Sequence, residues 1–432
     1  MKSKLPFFIR HVRVILIVIL LIKIGGYFSI VEERSVNQVF KTISRVGMTG
    51  LILLLDIKLR QFGCQKIYSH RNVISPLLYS LYLLLGFISF TWSTNWTYSA
   101  LQWLMTFESF IFTYFFFRVV FLVNAHFELK KLDVVSLFSW AIFPIMITFI
   151  IGSFAAPDVF YRGMRGGEEM RLGGWIMNPN ELGMLSGISG ALSFIMLQKG
   201  KSRVWYLLMI VAAVIVLLLT SSRSSAIGFA LILGILILKS ENKQMKRIML
   251  IVGIVAIPVM INAVVFKAAG GVEEVMSMTG RLPFWKALLN EGIVKEPFFG
   301  YGFMRINYTE YFQGLNTYAA KMTHNTFVQV LMNLGFVGFF IAICQMISTL
   351  SIFRKHKKSA FSSYFIALFI PLLINSFTEF GVFGEANYGI LFYQFLIWLF
   401  VFQPRTKLTQ RERVGLKIFN KRMEKYLGVF PN

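Results

Sequence analysis

The sequence predicts an all-α integral membrane protein of about twelve transmembrane helices, with one larger outer loop, and three observations carry this reading. The 432 residues are 56% hydrophobic and only 15% charged, with a mean hydropathy of +0.65, more apolar material than a water-soluble core of this size needs. Apolar runs of roughly 18 to 22 residues, each able to cross a hydrocarbon layer of about 30 Å, recur from end to end. The basic clusters between those runs fall in every second loop.

Taken in order, the spans are expected at 12–30, 37–57, 73–91, 99–122, 133–152, 175–197, 203–220, 223–238, 247–266, 324–350, 360–378 and 387–403. The first run follows Lys2, Lys4, Arg10 and Arg13, which raises the question of a cleaved signal. The Gly25, Gly26, Tyr27 stretch offers no small-x-small cleavage site, so the run reads as an uncleaved span. The second run carries Lys41 and Arg45, which must face other helices or snorkel to an interface. No internal repeat marks a two-fold transporter.

A net charge of +24 would suit a polyanionic partner if it were spread evenly. Instead Lys58, Arg60, Lys66 and Arg71; Lys130 and Lys131; Lys199, Lys201 and Arg203; Lys239, Lys243, Lys246 and Arg247; Arg354, Lys355, Lys357 and Lys358; and the tail from Arg405 all fall on one side. This is the positive-inside pattern, and it accounts for most of the charge without nucleic acid. Both termini are then cytoplasmic, and two loops face outward, near Ser153 to Gly174 and Lys267 to Thr323. Residues 1–403 form one membrane domain with the outer loop at about 267–323, and 404–432 form a basic cytoplasmic tail. Leu416, Phe419, Met423 and Leu427 recur among the tail's bases as in an amphipathic helix on the anionic inner leaflet, or the tail is a disordered basic segment. The two cysteines, Cys64 and Cys344, exclude a disulfide framework and a cysteine-based zinc site.

In this topology the sixth, eighth and tenth spans begin at the outer surface, and their starts carry unusual polar residues. Asn178, Pro179, Asn180 and Glu181 read as a capped helix start. Arg223 opens the eighth span, and Thr323, His324 and Asn325 open the tenth. Helix N-termini present unpaired N–H groups and the positive dipole end, so three together would suit a phosphate or pyrophosphate. Ordinary capping explains Asn178, Pro179 and Glu181 equally well. Arg171, Arg281 and Arg305 accompany the helix starts on the outer side, against the charge bias, and Arg223 at the edge of a hydrocarbon span is costly unless it has a use.

Of the five histidines, His11, His70, His126 and His356 fall at or near the inner side. His324 alone faces outward, and imidazole is the side chain that ordinarily titrates near neutrality, which suits proton transfer. In the outer loop, Arg281 to Leu288 with Phe284 and Trp285 reads as a short amphipathic interfacial helix, and Gly300, Tyr301 and Gly302 as a turn. Its aromatic residues suit headgroup anchoring or stacking on sugar rings.

The run Gly280-Arg281 with Trp285, then Pro297, Gly300 and Gly302, then His324-Asn325 with Gly335 and Gly338, resembles the signature of the O-antigen ligase and polymerase family of bacterial membrane glycosyltransferases. Thr91-Trp92-Ser93, the Arg171 to Gly183 stretch with its Asn-Pro-Asn, and Ser222-Arg223-Ser224 look like the same family's recurring features. The resemblance therefore spans about 90–340.

The resemblance implies an inner-membrane enzyme that transfers a glycan from an undecaprenyl pyrophosphate carrier to an acceptor hydroxyl on the outer side. The acceptor is a lipid A-core oligosaccharide for a ligase or another lipid-linked repeat for a polymerase. It also implies that Arg223 and Arg281 bind the pyrophosphate and that His324 is the base. Arg171 and Arg305 are carried over by proximity, and Glu379 answers to an acidic residue near the outer end of the eleventh span. Asn180 and Asn325 are supporting polar groups.

From the residues themselves, the outer acids Glu273 with Glu274 and Glu168 with Glu169 are adjacent pairs rather than a convergent cage. No metal or cofactor is therefore expected, and arginines would offset the leaving charge. A direct attack assisted by one histidine suggests inversion at the anomeric carbon. The competing class, a lipid-linked glycan transporter or flippase, would place its polar site near the midplane on broken helices. A non-catalytic scaffold would leave the isolated His324 unexplained.

Overall fold

In the computed structural model, residues 6–64, 68–127, 131–164, 169–200, 202–240, 247, 281–303, 323–359, 361–379, 381–384, 386–404 and 409–427 are described. The expected span at 247–266, apart from its first residue, and the expected site residue Arg305 lie outside them, as do Glu168, Glu273 and Glu274.

The helices are α1 (Val12–Gly25), α2 (Arg34–Phe62), α3 (Ile74–Ile88), α4 (Trp96–His126), α5 (Val134–Ala155), α6 (Pro179–Gln198), α7 (Arg203–Leu219), α8 (Arg223–Lys239), α9 (Arg281–Ala287), α10 (Thr326–Lys355), α11 (Ser362–Ser376), α12 (Tyr388–Trp398) and α13 (Gln410–Leu427). Four short strands join them: β1 (Tyr68–His70), β2 (Tyr161–Met164), β3 (Glu169–Leu172) and β4 (Phe402–Pro404). The chain is thus mostly helical, as expected, but two antiparallel ladders complete it. β1 pairs with β4 (His70 opposite Phe402), and β2 with β3 (Arg162 opposite Arg171). The second ladder occupies the outward loop expected near Ser153 to Gly174.

Every expected span within the described residues coincides with a helix, but the lengths differ from the expectation. Five helices are long and apolar enough to cross a bilayer: Ile74–Thr91, Trp96–His126, Val134–Ala155, Pro179–Gln198 and Thr326–Lys355. α1 has only 14 residues, α11 has 15 and α12 has 11, short of the roughly 20 that a lone span needs. Past α1 and α12 the chain continues as buried non-helical backbone. Phe28 is buried after α1, and Leu399 to Phe402 after α12. Irregular backbone at depth is tolerated where protein rather than lipid surrounds it, and where it finds partners, as Ser29 N–H does at the Ile176 carbonyl (2.8 Å).

Charges inside the apolar runs are paired between helices. Fully buried Lys23 of α1 lies 3.2 Å from both the Arg45 carbonyl and Thr49 Oγ1 of α2, pairs with Glu108 of α4, and sits over the Phe112 ring. Asp56 of α2, also fully buried, takes Arg118 of α4 at 2.9 Å and Arg60 at 3.0 Å. Each pair offsets the desolvation that a single intramembrane charge would suffer, and together they set α2 against α4. The two charges noted in the second span face protein: Lys41 reaches Ser29 Oγ at 3.1 Å, and Arg45 stacks on Tyr27 at 4.8 Å.

α6 is the central helix, buried over most of its length between α5, α7, α8 and α11. A Cβ on Gly183 would lie 2.8 Å from Ser222 Cβ and Ser225 Oγ. The bare α-carbon is what lets the start of α8 lie against the start of α6, the close approach that small residues permit between membrane helices.

His324 precedes α10 and His356 follows it, so the two lie at its opposite ends. At the His356 end, Gln403 of β4 reaches the His356 ring at 3.4 Å. Phe419 of α13 is buried among Phe62, His126 and Phe127, with ring centroids 4.8 to 6.1 Å away. The basic tail is therefore a helix seated on the protein through Phe419, while Val414 and Ile418 stay exposed.

Candidate active site

The opposite end gathers the starts of α6, α8 and α10 around the segment that follows α11. α6 begins at the Asn178 cap, whose Oδ1 accepts from Asn180 N–H at 2.9 Å. α8 begins after Ser222, and Ser225 Oγ donates to the Asn180 carbonyl at 3.1 Å. α10 begins after Asn325, whose Oδ1 accepts from the N–H groups of Phe327 (2.9 Å) and Val328 (3.1 Å). Thr326 Oγ1 in turn accepts from Gly381 N–H at 2.9 Å. Asn325 is thus the cap itself, a positional role within the supporting part expected of it.

Glu379 is the hub. Its Oε2 lies 2.7 Å from His324 Nδ1, and its Oε1 accepts from Asn180 Nδ2 at 3.0 Å and faces Arg281 Nη2 at 3.4 Å. The carboxylate is 4% exposed. Burial raises the Glu379 carboxyl, but the His324 hydrogen bond and charge, the Arg281 charge and the Asn180 hydrogen bond outweigh it and hold the group below its ordinary value.

His324 adopts a left-handed backbone, φ +47°, a conformation that costs a residue with a β-carbon about 1 kcal/mol or more. The neighbours that hold it are specific. Trp285 Nε1 donates to the Thr323 carbonyl at 2.6 Å, and Thr323 Oγ1 lies 3.1 Å from Gln329 Oε1. Trp285 and Phe284 are buried on α10 with Leu288, Ile293, Tyr301 and Met332. For Phe284 and Trp285 the expectation that the loop's aromatics meet headgroups or sugars is corrected, since both rings are buried and the indole N–H has its partner inside the protein, whereas Phe298 and Phe299 stay exposed.

The glycines of the outer loop and of α10 form one clasp. α10 is broken at Gly335 (φ 60°, ψ −163°), so the expected continuous tenth span is two helical pieces. The freed carbonyls of Met332 and Asn333 accept from Tyr301 N–H (3.0 Å) and Gly302 N–H (2.8 Å). The N–H groups of Phe336 and Val337 donate to the carbonyls of Pro297 (2.8 Å) and Phe298 (3.2 Å). A Cβ at Gly335 would stand 2.3 Å from the Phe298 carbonyl carbon. The 297–302 turn thus takes up two carbonyls and two N–H groups at the break, backbone groups of the kind that coordinate ions in broken-helix transporters.

The arginines divide. Arg281 starts α9, gives Nη1 to the Thr378 carbonyl and faces Glu379, while its Nε is buried without a partner among the described residues. Arg171 of β3 spends Nε on the Thr220 carbonyl (2.8 Å) and Nη2 on Asn180 Oδ1 (2.9 Å), so it ties the α7–α8 turn to the hub. Arg223 is half-buried, and its side chain makes no hydrogen bond or ion pair among the described residues. Among those residues no group of three or more His, Cys, Asp or Glu side chains forms a metal cage.

Five of the expected residues, Arg171, Asn180, Arg281, His324 and Glu379, therefore form one hydrogen-bonded and ion-paired network, with Arg223 on the adjacent helix start. The anchoring carbonyls of Thr220 and Thr378 were not legible in the sequence, since a backbone acceptor carries no residue signal. Trp285 as a strut had a signal, a tryptophan in a loop ahead of the histidine, which was read as interfacial instead.

Residues 207–343 match the family model described as O-Antigen ligase. The matched segment contains Arg223, Arg281 and His324 and begins later than the 90–340 stretch over which the resemblance was read. Asn180 and Glu379 lie outside it. No curated protein shows a significant match.

Proposed function

We propose that this membrane-embedded protein, whose residues 207–343 match the O-antigen ligase family model, transfers a glycan from an undecaprenyl pyrophosphate carrier to an acceptor hydroxyl on the outer side of the inner membrane. The observation that carries the reading is the single carboxylate of Glu379 joining His324 (2.7 Å) and Arg281 (3.4 Å).

Glu379 takes the Nδ1 side of the imidazole, so Nε2 is the nitrogen left for an acceptor hydroxyl. A carboxylate behind a histidine fixes the tautomer and stabilises the imidazolium that forms. In the transfer step the acceptor oxygen bonds to the anomeric carbon, the bond from that carbon to the pyrophosphate oxygen breaks, and the hydroxyl proton moves to Nε2. The electron pair leaves with the lipid diphosphate, whose charge Arg223 and Arg281 receive. A pair at 3.4 Å is long for a charge-assisted hydrogen bond, which leaves Arg281 able to exchange Glu379 for a phosphate oxygen. One displacement of this kind inverts the anomeric carbon. Arg171 acts here as a positioning group.

The test is purified protein in nanodiscs with lipid-linked donor and acceptor in excess EDTA. New glycosidic product is expected. Loss of product restored by Mg²⁺ or Mn²⁺ would refute the use of arginines in place of a metal, and donor crossing the bilayer without product would support a flippase. Gene deletion separates the two acceptors: single capped repeats mean a polymerase, and untransferred long lipid-linked chains mean a ligase.

A further inference from the structure

Outside the Glu379 network the fold builds an open groove of about 450 Å³, lined by Trp92, Thr94, Glu296, Phe299, Gly300 and Tyr301. The size suits a small ligand. Trp92 and Phe299 meet edge to face, with ring centroids 5.7 Å apart at 63°, and Trp92 Nε1 donates to the Phe299 carbonyl at 3.3 Å. The two rings make a fixed corner, one of them half exposed. Beside it the exposed Glu296 carboxylate has no hydrogen-bond or salt-bridge partner among the described residues.

The groove is rigid for a reason already given: its floor is the 297–302 turn that fills the break at Gly335. Its other wall is tied in as well, since Thr94 N–H donates to the Tyr301 carbonyl at 3.3 Å and a Cβ on Gly302 would stand 2.6 Å from Ser93. The same turn leads to His324. Tyr301 packs with Trp285 and Met332, and Trp285 holds the Thr323 carbonyl next to the histidine.

We propose that this groove is a sugar-binding subsite for the acceptor glycan. The inference rests on the transfer reaction proposed above. A flat ring with apolar C–H faces and hydroxyl edges is what an aromatic corner with an adjacent free carboxylate receives: the faces lie on Trp92 or Phe299, and Glu296 accepts from hydroxyls. The occupant is the acceptor and not the donor headgroup. Among the described residues the lining holds no arginine or lysine, and the Glu296 charge repels a diphosphate. The groove is also joined to the helix that follows His324, the residue that faces the acceptor hydroxyl in the proposed reaction.

The experiment uses the full chain in nanodiscs and, as probes, the two acceptor glycans in turn, repeat-unit oligosaccharides and the core oligosaccharide, each released from the host cell's own surface; the one that is the acceptor should bind. Calorimetry without donor should show binding to the wild type, and Trp92→Ala and Phe299→Ala should weaken it about tenfold, the scale of losing one aromatic anchor. In the transfer assay the same variants and Glu296→Ala should raise the acceptor KM by a similar factor while donor KM and kcat stay put. Trp92→Phe, which keeps a ring, should restore most of the binding and guards against misfolding. Glu296→Ala lies on the surface and folds irrespective of the corner. Unchanged oligosaccharide binding and acceptor KM in all three alanine variants, or an effect confined to donor KM, would overturn the subsite. A wild type that binds the oligosaccharide through Trp92 but forms no product would instead overturn the transferase reading and leave the sugar site standing.

Discussion

His324 Nδ1 and Glu379 Oε2 lie 2.7 Å apart although 55 residues separate them in the chain. The contact makes His324 one half of a dyad, and it orients the ring so that one nitrogen is spoken for.

Removing that imidazole tests its role directly. His324→Ala and His324→Gln should lower the transfer rate by about 10² to 10⁴, the usual worth of a general base, while binding of lipid-linked donor persists. The readouts are initial rates and donor binding to purified protein. Most activity surviving in His324→Gln, or donor binding lost together with turnover, would make the residue a structural or donor-binding group.

Glu379 links stability to pH. Its folded carboxyl titrates below the ordinary value, so between the two values the unfolded chain binds the extra proton and stability rises with pH. The stabilisation is complete above the ordinary carboxylate value and is lost as the pH falls through the folded one. Thermal unfolding in detergent should show this loss in acid, and Glu379→Gln should flatten it. An unchanged acid limb in Glu379→Gln would place the effect elsewhere.

Arg171 and Arg223 should behave oppositely. Arg171→Ala leaves Asn180 Oδ1 and the Thr220 carbonyl without their guanidinium and should cost about 1–3 kcal/mol of stability. Arg223→Ala should unfold near the wild-type temperature but transfer poorly. Arg223→Lys should also be impaired, since an ammonium lacks the planar fork that grips a phosphate. Wild-type turnover in Arg223→Lys would reduce that residue to general charge.

Gly335→Ala probes the clasp. At φ 60°, ψ −163° the backbone alone should cost about 1–3 kcal/mol with a β-carbon, and the contact with Phe298 adds to it. A lower unfolding temperature together with weakened transfer is expected, because the clasp carries both the outer turn and the segment next to His324. An alanine variant as stable as the wild type would mean that the break closes without consequence.

By itself the sequence determined the membrane class, the position of the helices and the isolation of His324 on one end of the bundle. These follow from transfer energies and charge placement, which act residue by residue along the chain. It also marked Arg171, Asn180, Arg281, His324 and Glu379 one at a time. What joins them was decided by packing: Gly183 lets α8 close on α6, and the segment after α11 brings Glu379 to both Asn180 and His324. Gly335 is marked in the sequence only through the family resemblance, and the break there depends on packing, because the 297–302 turn supplies hydrogen bonds to its exposed backbone. The helix lengths changed for the same reason. A lone span needs about 20 residues to satisfy its backbone in lipid, whereas α1 and α12 end early because neighbouring protein, invisible to a linear reading, surrounds the chain beyond them.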